Sequence, residues 1–351
     1  MKIIALTEGT RTSPASRIRT FDLLDRMQNQ RRLSFSAISY TSDGYCRRLV
    51  AGERIGILRS ILEQGWHLLA LLRLLVSAMR ADLVLIQRIL LPIWLQMLLK
   101  RINPRIIYDF DDAVYLHGKT RERRFARQVS SAAAVIAVSG EAARQALLRG
   151  TAREKVTTIY TPVDCTRFEL VQERNSETFT VGWVGSPATS NYLEGIWPEL
   201  AEFARGNGNV RFVFIGCPEF DTGSLAARVR FEGWSPEVEQ LELPLLDVGL
   251  MPLENTEWER GKGGYKLIQY MAAGVATLSS PVGANLEIVI EGETGLFAAD
   301  AGNWQNCLNN LLADRKLCCA MGLSGRGRAQ ELFDYKAASD SLAGILAGLE
   351  N

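Results

Sequence analysis

"ERGKGGYKLIQYMAAG", residues 259–274, decides how the second half of this chain is read. Gly261, Lys262, Gly263, Gly264 and Lys266 precede an apolar run with helical spacing, and "VATLSS" (275–280) comes next as a strand-like stretch. Glycines let backbone N–H groups approach a ligand closely, a helix start offers its positive end, and lysines add charge, so the loop suits a diphosphate. It is not a Walker loop, because G-x-x-x-x-G-K-[ST] is absent. "GWVGS" (182–186) is not G-x-G-x-x-G either. These absences count against an ATPase and against a nicotinamide-linked oxidoreductase. On loop chemistry alone, an ordinary glycine-rich turn before a buried helix fits equally well.

Working outward, strand-like runs recur at α/β spacing. The first series is 2–7, 33–39, 82–87, 105–110, 133–139 and 155–160. The polar segment 161–177 carries Pro162 and reads as a linker, and a second series stands at 178–186, 210–216, 229–234, 247–253 and 275–280. Continuous apolar strands of this kind suit parallel sheets buried on both faces. The architecture expected is α/β, with two doubly wound Rossmann-like domains facing a central cleft and ligands at the carboxyl ends of the strands. The expected boundaries are a first domain at 1–165, a second at 166–335, and a helix at 336–351 that packs back on the first domain.

Composition sets the outer limits. The chain has 351 residues, 47% hydrophobic and 23% charged, which suits a folded globular protein and argues against wholesale disorder. Six cysteines without a C-x-x-C spacing and only two histidines give no zinc pattern, so free thiols in a reducing compartment are expected. The formal charge of +1 conceals a split: residues 1–165 hold 26 Lys+Arg against 14 Asp+Glu, and residues 166–351 hold 14 against 25. A basic first half suggests an anionic partner, or attraction between the two halves. No apolar run is long enough to span a bilayer without interruption. The start of the chain reads as a first strand rather than a signal peptide, which implies a cytoplasmic protein. The apolar segment 61–101, interspersed with arginines, fits a buried helix flanking the first sheet. It also fits a patch that inserts shallowly into the inner face of an anionic membrane.

The glycine loop and its helix belong to a longer pattern. "YMAAGVATLSS" (270–280), "GANLEIV" (283–289) and "EGETGLF" (291–297) stand in order. Together they resemble the donor-nucleotide region of family 4 glycosyltransferases, which have the GT-B fold. "FTVGWVGSPATSNYL" (179–193), "IIYDFDDAVY" (106–115) and "ASRIRT" (15–20) are similar to other segments of such proteins, but residues 247–297 carry the specific part. The resemblance implies a retaining glycosyltransferase of hexosyltransferase type. It would move a sugar from a nucleotide-diphosphate sugar to a saccharide or lipid-linked acceptor hydroxyl, in surface polysaccharide or glycolipid synthesis. It also implies that 1–165 is the acceptor-side domain and 166–335 the nucleotide-sugar-binding domain, that no metal or other cofactor is required, and that no nucleic acid is a partner.

The sequence departs from the family at E-x7-E. Gly261 and Gln269 stand where two glutamates are expected, and Gln269 offers only neutral hydrogen bonds to a ribose. The loop "GSPATSNYL" also lacks the basic residue that the family usually places there, so Lys262 and Lys266 are expected to have taken over that charge. By this resemblance, the donor is bound by Gly185, Ser186, Gly261, Gly263, Gly264, Gln269 and Glu287, although Glu287 also fits a helix start. Asp111, Asp112, Lys262 and Lys266 are the catalytic candidates. Arg17, Arg19 and Asp109 are the acceptor-side candidates, with Arg17 and Arg19 fitting a solvated helix start equally well. Asp109-Phe110-Asp111 also reads as the D-x-D metal signature of another glycosyltransferase fold, or as turn and capping residues. His117 fits a proton carrier or an exposed loop histidine. The missing carboxylates leave open a protein that binds nucleotide, or a partner, without turnover.

Overall fold

A computed structural model describes residues 1–30, 33–50, 56–171 and 177–350. Part of the expected linker, 172–176, lies outside the described residues. The chain divides into two compact units. The first is Met1–Pro162 with Arg260–Gly263 and Tyr335–Asn351, and the second is Val163–Glu259 with Gly264–Asp334. The chain passes between the units after Pro162, Glu259, Gly263 and Asp334, so Arg260–Gly263 groups with the first unit.

The first unit holds a six-stranded parallel sheet. Its strands are β1 (Lys2–Thr7), β2 (Ser34–Ser39), β3 (Leu83–Gln87), β4 (Ile106–Phe110), β5 (Ala134–Ala137) and β6 (Val156–Thr158), in the order β2-β1-β3-β4-β5-β6. Strands β3, β4 and β5 are buried along their whole length, which only a sheet covered on both faces permits. Phe110 and Phe125 pack edge to face at 5.1 Å between β4 and the helix Lys119–Ser131. Strand order reverses between β1 and β3, so the carboxyl ends of these two strands flank the unit's switch point. The helix Tyr335–Glu350 belongs to this unit. Its Tyr335 hydroxyl donates to Asp22 at 3.4 Å, and the Arg26 guanidinium lies 4.3 Å over the same ring.

The helix Ile57–Ala78 connects β2 to β3 and covers the sheet with one face only. Glu63, Ala70, Leu74 and Ala78 are its buried residues. Ser42 donates to Glu63 from both backbone and side chain, at 2.7 and 2.5 Å, and the Trp66 indole donates to the Ser39 carbonyl at 3.1 Å. Leu68, Leu69 and Leu72 between these positions face outward while Leu71 and Leu75 are half-buried, so the helix is not the buried element that one of the two readings expected.

The second unit holds β7 (Phe179–Val184), β8 (Val210–Ile215), β9 (Val229–Glu232), β10 (Val248–Met251), β11 (Ala276–Ser279) and β12 (Gly295–Phe297), in the order β12-β11-β10-β7-β8-β9. All are parallel, and β12 is a strand that the periodicity does not announce, because "GLF" is too short to show any. Phe179, Trp183, Phe203, Phe212, Phe214 and Trp304 are the buried aromatic residues of its core. The switch point here lies between β7 and β10, which pair over only two residues, Val181↔Val248 and Gly182↔Gly249.

Candidate active site

At the second unit's switch point the two strands part, and Tyr270 bridges them. The Val184 N–H donates to the Tyr270 hydroxyl at 2.9 Å, and that hydroxyl donates to the Leu250 carbonyl at 3.1 Å. Both backbone groups are thereby satisfied where the ladder has ended. A side chain at Gly249 would collide with the Tyr270 ring, so the glycine is what admits it. Tyr270 sits on the helix Tyr265–Ala272, whose residues Leu267 to Ala272 are all buried. The "QYMA" run is thus the anchor of the loop that precedes it.

That helix begins at Gly264, which has φ +68° and ψ 19°. This left-handed conformation favours glycine, and a Cβ there would also meet Ile288 Cδ1. Just inside the helix, Lys266 reaches the loop after β7. Its ammonium lies 3.4 Å from Thr189 Oγ1 and 5.0 Å from the centre of the Trp183 ring. A Cβ at Gly185 would run into Trp183 and come within 2.9 Å of Lys266 Cε. The lysine therefore lies along the glycine turn Gly185-Ser186, and it places a positive charge beside the loop that has no Arg or Lys of its own. Ser186 is exposed, and its carbonyl accepts from Thr189 Oγ1 at 3.1 Å. Trp183 holds the lysine stem from below as a cation–π partner.

Glu259, just ahead of the loop, is a group that the sequence reading missed. It is 5% exposed and accepts hydrogen bonds from the hydroxyls of Tyr192 and Thr256. This buried carboxylate braces the loop after β10 against the helix after β7. An acid two residues before a glycine loop was the available signal. Gln269 is buried, in the position where the family resemblance put a ribose ligand. Glu287 is half-buried on the short helix Asn285–Ile288, whose Glu287 and Ile288 carbonyls accept from Arg328.

The first unit's switch point is built from charges. Arg88 comes directly after β3 with φ +67° and reaches three carboxylates: Asp112 at 2.6 Å, Glu8 at 3.1 Å and Asp111 at 3.7 Å. Glu8 comes from the end of β1 and the two aspartates from the end of β4, so the strand order itself assembles the cluster. Burial, then the charge of Asp111, pushes the Asp112 carboxyl up to about 7, against the opposing pull of Arg88 and Lys262. Burial also raises Glu8. Lys262 acts on Asp112 from the Arg260–Gly263 segment, where a Cβ on Gly261 would lie 2.7 Å from Ala113 Cβ and one on Gly263 2.5 Å from Val138 Cγ2. The two lysines expected to work as a pair thus have separate surroundings: Lys262 acts on an aspartate, and Lys266 lies on a glycine turn.

Arg19 and Asp109 are buried, at 5% and 3% exposure. Arg19 holds both carboxylate oxygens of Asp109, and its remaining nitrogen donates to the Ile159 carbonyl and the Thr161 hydroxyl, at 3.0 and 3.2 Å. The acceptor-side expectation for these two does not match that placement, because each satisfies the other in the interior. The same pairing takes Asp109 out of a D-x-D metal site. Among the described residues no cluster of three or more His, Cys, Asp or Glu is arranged to hold a metal. Arg17 is half-buried at the start of the helical turn Arg17–Asp22, where its charge acts on Asp22. His117 is exposed in a turn at φ +72°.

Comparison with known proteins bears on this geometry. No curated protein sequence matches the chain. Its structure is similar to that of HepE from Anabaena in complex with UDP, with a TM-score of 0.74 at 16% identity, covering 99% of this chain and 100% of that one. HepE has also been solved with UDP-glucose, at a TM-score of 0.72. Sucrose-phosphate synthase from Thermosynechococcus elongatus gives 0.74 at 18% identity, covering 99% of both chains. The lipopolysaccharide outer core galactosyltransferase WaaB gives 0.70 at 14%, again covering 99% of both. The chain therefore has the two-domain GT-B fold of these glycosyltransferases, and residues 178–314, which hold the Gly185 turn, Lys266 and Tyr270, match the family model "Glycosyl transferases group 1".

Proposed function

We propose that this protein is a retaining glycosyltransferase that moves a hexose from a nucleoside-diphosphate sugar to a hydroxyl of a saccharide or lipid-linked acceptor. The observation that carries the reading is Lys266. It stands at a helix start, lies along the glycine turn after β7, and does so at the switch point where an open α/β sheet binds nucleotides. The match of this segment to glycosyl transferases group 1 supports it.

In this reading the diphosphate meets the Lys266 ammonium and the backbone at Gly185 and Gly264. As the anomeric carbon–oxygen bond breaks, negative charge grows on the departing diphosphate, and a preorganised cation there lowers the barrier. The new bond forms between the anomeric carbon and the acceptor oxygen, whose proton must leave. Asp112, raised towards neutrality, is the group we assign to orient that hydroxyl and take its proton, with Arg88 holding it in place and the charge of Asp111 raising its proton affinity. Arg19 and Asp109 are assigned to the scaffold beneath.

A second reading rests on Gly261 and Gln269, which stand where the resemblance calls for carboxylates: nucleotide binding without transfer. One experiment separates the two. Thermal unfolding is measured with UDP, GDP, ADP and CMP sugars, with and without magnesium, and UDP or other nucleotide release is then assayed over a panel of acceptors. Ligand at 100 times its dissociation constant stabilises by about 2.7 kcal/mol. Stabilisation with nucleotide release supports the transferase. Stabilisation without release supports the binder, and absence of any shift removes both.

A further inference from the structure

We propose that the outward faces of the helices Ile57–Ala78 and Ile93–Ile102 form a docking surface for an anionic lipid bilayer, with both helices lying in the plane of the interface. Apolarity on the first helix is the reverse of what a core helix shows. Its buried residues are one glutamate, two alanines and a single leucine, whereas Ile57, Leu58, Ile61, Leu62, Leu68 and Leu72 are 52–83% exposed. On the second helix Trp94 is 65% exposed, with Ile93, Met97 and Leu98 beside it. Soluble proteins do not leave contiguous apolar faces of this size uncovered without a partner.

Charge identifies the occupant. The only acid on either helix is Glu63, which is buried and takes hydrogen bonds from Ser42. The exposed cations are Arg59, Arg73, Lys100 and Arg101 on the helices, with Arg80 and Arg105 at their ends, and Lys100 donates to the Ser131 carbonyl at 2.6 Å. An apolar face on helices that carry exposed cations and no exposed acid suits a surface of lipid tails and anionic headgroups. A second copy of this chain would bring the same cations face to face, because a two-fold interface pairs each patch with itself.

The geometry also fixes the mode. By length and composition Ile57–Ala78 is able to cross a bilayer. It is nevertheless tied to the sheet by Trp66 and Glu63. Asn103, next to the second helix, donates to the Ala78 and Ala81 carbonyls at 3.2 and 2.9 Å, which fastens the two helices together. A helix held along its length by its own domain can lie on a membrane but not span it.

The test uses the full chain with vesicles of phosphatidylcholine alone, and of phosphatidylcholine mixed with phosphatidylglycerol. Binding is read by co-sedimentation and by tryptophan emission. The expected result is binding to the mixed vesicles that weakens with added salt and is much poorer on phosphatidylcholine alone. Leu68→Glu combined with Leu72→Glu should reduce it about tenfold or more. Arg59→Glu with Arg73→Glu should abolish the preference for anionic lipid. All four side chains are exposed, so thermal unfolding should be unchanged and serves as the folding control. Failure to bind mixed vesicles, or equal binding to both kinds, overturns the proposal. So does a dimer in sedimentation that Leu68→Glu with Leu72→Glu converts to monomer, which would mean that a second copy covers this face. None of these readouts involves glycosyl transfer, so the outcome is independent of the function proposed above.

Discussion

Both units are six-stranded parallel sheets with one switch point each, ordered β2-β1-β3-β4-β5-β6 and β12-β11-β10-β7-β8-β9, and they differ in what those switch points contain. In the first, the ends of β1, β3 and β4 bring together Glu8, Arg88, Asp111 and Asp112, with Arg19 and Asp109 locked beneath. In the second, the ends of β7 and β10 bring together glycines and one lysine, braced by a tyrosine hydroxyl and a buried glutamate. The lesson is that the switch point of a doubly wound parallel sheet can be furnished for opposite tasks. A dense charge cluster holds carboxylates at tuned proton affinity, while a sparse, glycine-lined turn leaves backbone and one cation to meet an anion.

The sharpest way to break the comparison is at the base of the first unit. Arg19→Ala leaves Asp109 as a buried, unpaired charge, and removing one partner of such a pair costs about 3–5 kcal/mol. Urea unfolding should show this loss, while nucleotide affinity, measured on the folded fraction, should be unchanged. A milder loss would mean that water reaches Asp109. Next comes Lys266→Ala. A hydrogen bond to a charged group contributes about 1.5–3 kcal/mol, so calorimetric affinity for the nucleotide should fall roughly tenfold to a hundredfold. Lys262→Ala should leave that affinity much closer to the parent value. Equal losses at the two lysines would erase the distinction drawn between them.

Tyr270→Phe should cost about 1–3 kcal/mol, since it leaves the buried Val184 N–H and Leu250 carbonyl without the hydroxyl that bridges them. Thermal unfolding measures it, and a neutral result would mean that water substitutes at the splayed strand ends. A further test is a pH slope. The folded chain holds the Asp112 proton up to about 7, above the 3.8 of an ordinary aspartate, so between these values it binds more protons than the unfolded chain does. Stability should therefore fall as pH rises through that window. Asp112→Asn should flatten the slope in a series of melts, and a slope of opposite sign would show that pairing with Arg88 outweighs burial. Lys262→Ala removes a charge that lowers Asp112, so it should push the window to higher pH.

Much of the fold is legible in the sequence, and particular residues show why. The strands of both series come from apolar runs that only a covered parallel sheet accommodates. Gly264 stands out in the sequence as a backbone site, and it proves to be a helix start in a left-handed conformation. Lys266 reads as a phosphate ligand from chemistry alone, and its position beside the Gly185 turn suits that role. Arg88 and Glu8 carry no such signal, because each stands alone in sequence, after a different strand. Nothing local marks an arginine in "LIQRIL" as the partner of aspartates some two dozen residues on. Arg19 and Asp109 read as acceptor-side residues because charge near a strand end suggests a site, yet ninety residues apart they close on each other.

By itself, the sequence determined the two sheets, the glycine turns and the supply of charge, since these depend on composition and short-range periodicity. Only the tertiary structure decided which charges meet and which apolar face is left bare. Ion pairing and burial depend on strand order, and parallel crossovers bring together residues that no local pattern connects. That is why Lys262 and Lys266, neighbours in the loop from which the fold was read, have different partners once the chain is folded.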